Sequence, residues 1–93
     1  SVYIAPALQG RGIGTVLLSR AVSWAEEHGF RQLVAVVGDS KNTASLALHK
    51  SAGFSHTGTL KSVGFKHGRW LDTVILQRTL GFGDATLPHI SSG

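Results

Sequence analysis

The stretch Leu8 to Ala21, LQGRGIGTVLLSRA, decides how this chain is read. Gly10, Gly12 and Gly14 alternate with Arg11 and Ile13, and apolar residues at helical spacing follow. Glycine is costly to order, so such a density implies that something must approach the backbone more closely than side chains permit. Upstream, SVYIA (Ser1 to Ala5) carries the strand formers Val2, Tyr3 and Ile4, and Pro6 stops it. Downstream the spacing predicts a helix over Ile13 to His28. Val16, Leu17, Ala21, Val22, Trp24 and Ala25 form its apolar face, and Gly29 sits past its end. On that pattern Trp24 is expected in the core. A strand, a glycine turn and a helix N-terminus make an anion site, because the first helical N–H groups are unpaired and carry partial positive charge. Arg11 adds a cation at the rim.

Two common phosphate motifs fit poorly. A P-loop needs Lys after its last glycine, and none lies in this turn. A dinucleotide turn needs G-x-G-x-x-G; Gly10 and Gly12 fit, but Thr15 stands where the third glycine belongs. Asp39 could serve as the acidic ribose ligand of such a site, which keeps a dinucleotide reading open.

Working outward, Leu33 to Val37 is a continuous apolar run, expected as a strand buried on both faces. Strand, helix and strand imply a parallel pair with a right-handed crossover. A second helix is expected over Asn42 to Ala52, closed by Gly53. HTGTL (His56 to Leu60) and WLDTVILQRTL (Trp70 to Leu80) read as two more strands. KSVGFKHGR (Lys61 to Arg69) reads as a glycine- and charge-rich loop between them. The expected order is β-α-β-α-β-β in one α/β domain over residues 1–80. Residues 81–93, polar and without a period, are expected to be a tail.

The chain has 93 residues, no cysteine and a net charge of +4. That length makes one small domain. Without cysteine there is no disulfide framework and no Cys-based metal site. No histidine pair has metal-ligand spacing on one helix face, so no metal is expected. No apolar run is long enough to span a membrane. The basic residues are scattered rather than interleaved with aromatics, which argues against nucleic acid and for a small phosphate-bearing ligand. A cytoplasmic location is the default expectation.

Gln9, Gly12 and Gly14 also meet Q-x-x-G-x-G. After a buried strand comes NTASLALHKSAGF, with Asn42 at a helix start, His49 within the helix, then Gly53 and Phe54. Together these resemble the GCN5-related N-acetyltransferases, the GNAT superfamily. GFKHGRWLDTVILQR (Gly64 to Arg78) is similar to the C-terminal signature of their phosphinothricin and methionine sulfoximine acetyltransferase branch. The resemblance runs from about Ser1 to Leu80. It implies a GNAT (acyl-CoA N-acyltransferase) fold with a mixed sheet, and acetyl-CoA as co-substrate. It further implies that the backbone of Tyr3, Ile4 and Ala5 pairs with the pantetheine arm. Gln9, Gly10, Arg11, Gly12, Ile13, Gly14 and Thr15 would hold the pyrophosphate. Asn42, helped by Ser45, would contact the cofactor arm. His49 stands where many relatives carry a tyrosine that protonates the departing thiolate, and histidine can donate a proton near neutral pH. Lys66, Arg69 and Asp72 are the expected acceptor-binding residues, with His67 and Trp70 beside them.

The family's first strands and helices have no counterpart here, and with them go much of the acceptor pocket and a carboxylate base. SVYIA is then expected as a bare sheet edge that pairs with another chain, as a homodimer or other self-association. The implied function is acetyl transfer to the primary amine of a small amino-acid-like acceptor. A protein N-terminus or an antibiotic amine is the rival acceptor. The rival of another class is a non-catalytic CoA-binding half-domain.

Overall fold

The computed structural model describes residues 2–5 and 13–87. Its elements are β1 (Val2–Ala5), α1 (Ile13–Glu27), β2 (Gln32–Val37), α2 (Thr43–Ser51), β3 (Ser55–Lys66) and β4 (Arg69–Thr79). They form one mixed sheet in the order β1-β2-β4-β3. β1 and β2 run parallel, with Val2 opposite Gln32 and Ala5 opposite Ala35. The pairs β2–β4 and β4–β3 are antiparallel. This is the expected β-α-β-α-β-β order with its parallel crossover.

Both helices pack on one side of the sheet. Leu18, Val22 and Ala25 of α1 share a buried cluster with Leu33, Ala35 and Val37 of β2, Val74 and Leu76 of β4, Phe54 and Leu80. Leu46 and Leu48 of α2 pack against it. The double burial expected for β2 is therefore half right. Val34 and Val36, on the other face, are only partly covered.

One-sided packing also narrows the buried stripe of α1 to Gly14, Leu18, Val22 and Ala25. Trp24 is not core: it is 43% exposed. One residue around the helix is about 100°, which turns Trp24 away from the sheet beside Ala25. Its ring stacks instead on His28 (centroids 4.1 Å apart) and Phe30 (5.8 Å). Val16 and Leu17, also expected inside, are exposed.

The largest departure is the expected loop KSVGFKHGR. Most of it is strand, and β3 and β4 join through His67 and Gly68 alone. Both have positive φ (54° and 74°), the backbone that a two-residue hairpin turn demands. Lys66 pairs with Arg69 and Phe65 with Trp70, whose rings meet edge to face at 5.1 Å. Between Leu60 and Gly64 the ladder slips, and Lys61, Ser62 and Val63 oppose Asp72 alone. The Asp72 carboxylate fills the break: Oδ1 accepts the Ser62 N–H (2.9 Å) and Oδ2 pairs with Lys61 Nζ (3.3 Å).

The segment expected as a tail is folded over its first residues. Residues 81–86 form successive turns and bends. The Arg31 guanidinium donates to the carbonyls of Gly83 (2.7 Å) and Leu87 (3.2 Å) and ties them to the start of β2.

Candidate functional site

The topology gathers chain ends at one end of the sheet. β1 and β2 are parallel, and α1 returns from the far end of β1 to the start of β2. Its N-terminus therefore lies at the carboxyl end of the pair. α2 leaves that same end of β2 and returns to β3, whose first residue, Ser55, sits opposite Gln77 near the other end. β4 starts beyond the carboxyl end of β2, since Val37 pairs with Val74, five residues into the strand. The α1 N-terminus, the loop into α2 and the β3–β4 turn thus share one end. Crevices outside the carboxyl ends of parallel strands are where open α/β sheets bind ligands.

Of the expected phosphate-turn residues, Gln9, Gly10, Arg11 and Gly12 lie outside the described residues. Ile13, Gly14 and Thr15 form the first turn of α1, where backbone N–H groups have no partner within the helix. Gly14 has a packing role that the motif does not suggest. A Cβ built there would stand 2.9 Å from Leu48 Cδ2, so its missing side chain lets α1 and α2 approach. β1 pairs with β2 as far as Ala35, and β2 runs on through Val36 and Val37. No described strand covers the other edge of β1 at Tyr3, Ile4 and Ala5.

Asn42, Ser45 and His49 are brought together by α2. Asn42 is its N-cap, and its Oδ1 accepts the Ser45 N–H at 3.1 Å. The cap leaves the two N–H donors of the amide for another partner. Ser45 O lies 2.7 Å from His49 Nδ1. A carbonyl only accepts, so Nδ1 carries the proton and a neutral ring holds its lone pair at Nε2. The ring is 1% exposed and meets Phe54 edge to face at 5.4 Å. His49 stands seven residues after Asn42, roughly 10 Å along the helix axis.

The loop into α2 is organised by Asp39. Its Oδ1 accepts the Lys41 N–H (3.0 Å), its backbone carbonyl accepts the Asn42 N–H (3.0 Å), and its Oδ2 pairs with Arg69 at 2.7 Å. The Ser40 N–H donates to the Asp72 carbonyl at 3.0 Å. Arg69 and Asp72, expected to face an acceptor, therefore already have partners within the chain. Lys66, the third, is exposed beside the turn. The Asp39–Arg69 pair was not foreseen; the only sequence signal was an acidic residue directly after a strand.

The Lys41 N–H, then Arg69, hold the Asp39 carboxyl below its ordinary value of 3.8. The Ser62 N–H does the same for Asp72 against the opposing effect of burial, with a further lowering from Lys61. A carboxylate lowered in the folded state adds stability above its unfolded value and loses it as pH falls through the folded one. The thermal midpoint is therefore expected to hold steady down to about pH 5 and to drop below about pH 4. Asp39→Asn is expected to flatten that drop, and a melt series from pH 7 to pH 2.5 checks it. Among the described residues no cluster of three or more His, Asp or Glu could hold a metal. No described helix is long and apolar enough to cross a membrane.

Comparison with known proteins bears on the family and the fold. The profile of the Acetyltransferase (GNAT) family matches residues 1–54. The chain is 58% identical over 89 residues to a phosphinothricin N-acetyltransferase of Alcaligenes faecalis, covering 96% of this chain and 45% of that protein. It is 46% identical over 80 residues to an L-methionine sulfoximine/L-methionine sulfone acetyltransferase of Salmonella typhimurium, covering 86% of this chain and 46% of that one. The crystal structure of a GNAT superfamily phosphinothricin acetyltransferase from Sinorhizobium meliloti in complex with AcCoA superposes with a TM-score of 0.79 at 51% identity. That match covers 87% of this chain and 43% of the other. The chain thus spans less than half the length of these relatives.

Proposed function

The chain belongs to the Acetyltransferase (GNAT) family, and from that premise we propose that it is the acetyl-CoA-binding part of an N-acetyltransferase. The acceptor is the primary amine of a small amino-acid-like compound of the phosphinothricin, methionine sulfoximine or methionine sulfone type. The observation that carries this reading is the shared end of the sheet, where the N-termini of α1 and α2 meet the carboxyl ends of the parallel pair β1 and β2. The A. faecalis and S. typhimurium relatives are acetyltransferases of phosphinothricin and of methionine sulfoximine or sulfone.

Each part has a physical role. First-turn N–H groups of α1, with Arg11 nearby in sequence, neutralise the pyrophosphate. The β1 backbone at Tyr3, Ile4 and Ala5 receives the pantetheine amides as a further strand would. The Asn42 amide donates to the cofactor arm while its oxygen caps α2. The acceptor amine, once deprotonated, attacks the thioester carbonyl. A C–N bond forms, the C–S bond breaks, and backbone N–H groups of β1 stabilise the oxyanion between. The departing CoA thiolate takes a proton, for which His49 is the candidate donor. Because Nδ1 is held by Ser45 O, Nε2 is the nitrogen left for that transfer. Lys66, exposed beside the β3–β4 turn, is the candidate partner for an acidic group of the acceptor. Self-association as a homodimer completes the reading, and the protein works in the cytoplasm.

A second reading is a CoA-binding unit without turnover, and the carboxylates favour it. Asp39 and Asp72 are paired. Glu26 and Glu27 end α1, far from its N-terminus, and Asp84 lies among the turns after β4. None stands ready as a base at the shared end.

Calorimetric titration with acetyl-CoA, followed by thiol release with methionine sulfone on the same sample, separates the readings. Binding with turnover supports the enzyme, and binding alone supports the CoA-binding unit. Absence of binding overturns both.

A further inference from the structure

The functional reading above gives Asn42 its work but does not say what holds Asn42 in place. An N-cap side chain is only as well aimed as the loop that delivers it. Here that loop is five residues, Gly38 to Asn42, and three of its contacts originate at Asp39. One carboxylate oxygen takes the Lys41 N–H, the backbone carbonyl takes the Asn42 N–H, and the other carboxylate oxygen takes Arg69. The first two are local and would survive if the loop swung as a unit. The third crosses 30 residues of sequence to the first residue of β4. A backbone bond from Ser40 to Asp72 reinforces it from the same strand.

We propose that Arg69 is a positioning residue: by gripping Asp39 it fixes the loop that presents Asn42 and the N-terminus of α2 to the cofactor. This rests on the reading of Asn42 as a cofactor contact. It replaces the role that sequence suggested for Arg69, contact with an acidic group of the acceptor. Its guanidinium is committed to Asp39 at 2.7 Å, and Asp39 has no other cation at that distance among the described ion pairs. The β3–β4 turn and the α2 loop then move as one body, so the acceptor side and the cofactor side share a rigid link.

The test uses the whole chain, with Arg69→Gln, Asp39→Asn, the double variant and Arg69→Lys. Asp39→Asn keeps an oxygen for the Lys41 N–H and removes only the charge that Arg69 grips. Two readouts are taken: amide hydrogen exchange at Lys41 and Asn42 without ligand, and the dissociation constant of acetyl-CoA. Both single variants are expected to speed exchange at the two amides and weaken acetyl-CoA by similar factors, roughly two- to fivefold for a half-exposed pair. The double variant is expected to match either single one, because the pair is broken only once. Arg69→Lys is expected to recover part of each effect. Unchanged exchange at Lys41 and Asn42 in Arg69→Gln overturns the proposal, as do independent, multiplying effects in the double variant. Failure of the wild-type chain to bind acetyl-CoA would overturn the functional reading alone, since the exchange measurement still decides whether Arg69 holds the loop.

Discussion

Acetyl-CoA binding is expected to be lost in the Gly12→Asp variant, weakened by about a hundredfold or more, with the thermal midpoint unmoved. The two readouts part company for a physical reason. Gly12 immediately precedes α1, which starts at Ile13. The first-turn N–H groups of a helix are open to an anion from outside or to a carboxylate from the chain itself. Aspartate before a helix is a good cap, somewhat better than glycine. A carboxylate at that position would compete for the donors proposed to hold the pyrophosphate, and its charge would repel that group. A general loss of fold lowers affinity and midpoint together. Loss of affinity at constant midpoint is the mark of a blocked anion site. Calorimetry and a thermal melt on one preparation read both, and undiminished affinity would remove the phosphate role from this turn.

His49→Phe is expected to slow thiol release by about a hundredfold while leaving acetyl-CoA affinity within about twofold. The ring is buried and meets Phe54 edge to face, a contact that phenylalanine can repeat. What it cannot repeat is the chemistry of two nitrogens. Loss of the Nδ1 bond to Ser45 O is expected to cost about 1 kcal/mol of stability, visible as a lower midpoint. Loss of Nε2 would remove the proposed proton donor to the thiolate. Stopped turnover with retained binding assigns His49 to the chemistry. A variant that turns over at the wild-type rate, with only its midpoint lowered, leaves the ring as part of the core.

The order of elements was legible because its signals are local. Apolar runs of the right length, glycines past helix ends and Asn42 before α2 each act over a few residues. The departures have non-local causes. Trp24 matches the helix period as well as Ala25 does, and only the packing of α1 on one side of one sheet separates them. Lys61 to Arg69 looked like a loop because Gly64, Gly68 and four basic or titratable side chains suggest one. Its strand character comes from β4, through the Phe65–Trp70 pair and the Asp72 carboxylate that bridges the slipped ladder. The candidate site divides in the same way. Asn42 could be identified from its own helix. That Arg69 would meet Asp39, and so be turned from an acceptor contact into a brace, depends on how two strands align, and no residue near either position encodes it.

The two-residue turn at His67 and Gly68 also sets an order of events. β3 and β4 close on each other across almost no intervening chain, and hairpins of that kind assemble within microseconds. The parallel pair β1–β2 can close only after the connection holding all of α1 has been gathered in, at a larger loop entropy. The hairpin is therefore expected to close before either long connection, through α1 or through α2, is gathered in. The proposed acetyl-CoA site borders the β1–β2 pair, so a cofactor bound there would act as a clasp on a joint that closes more slowly than the hairpin. A refolding chain would carry a formed hairpin before it could hold its ligand.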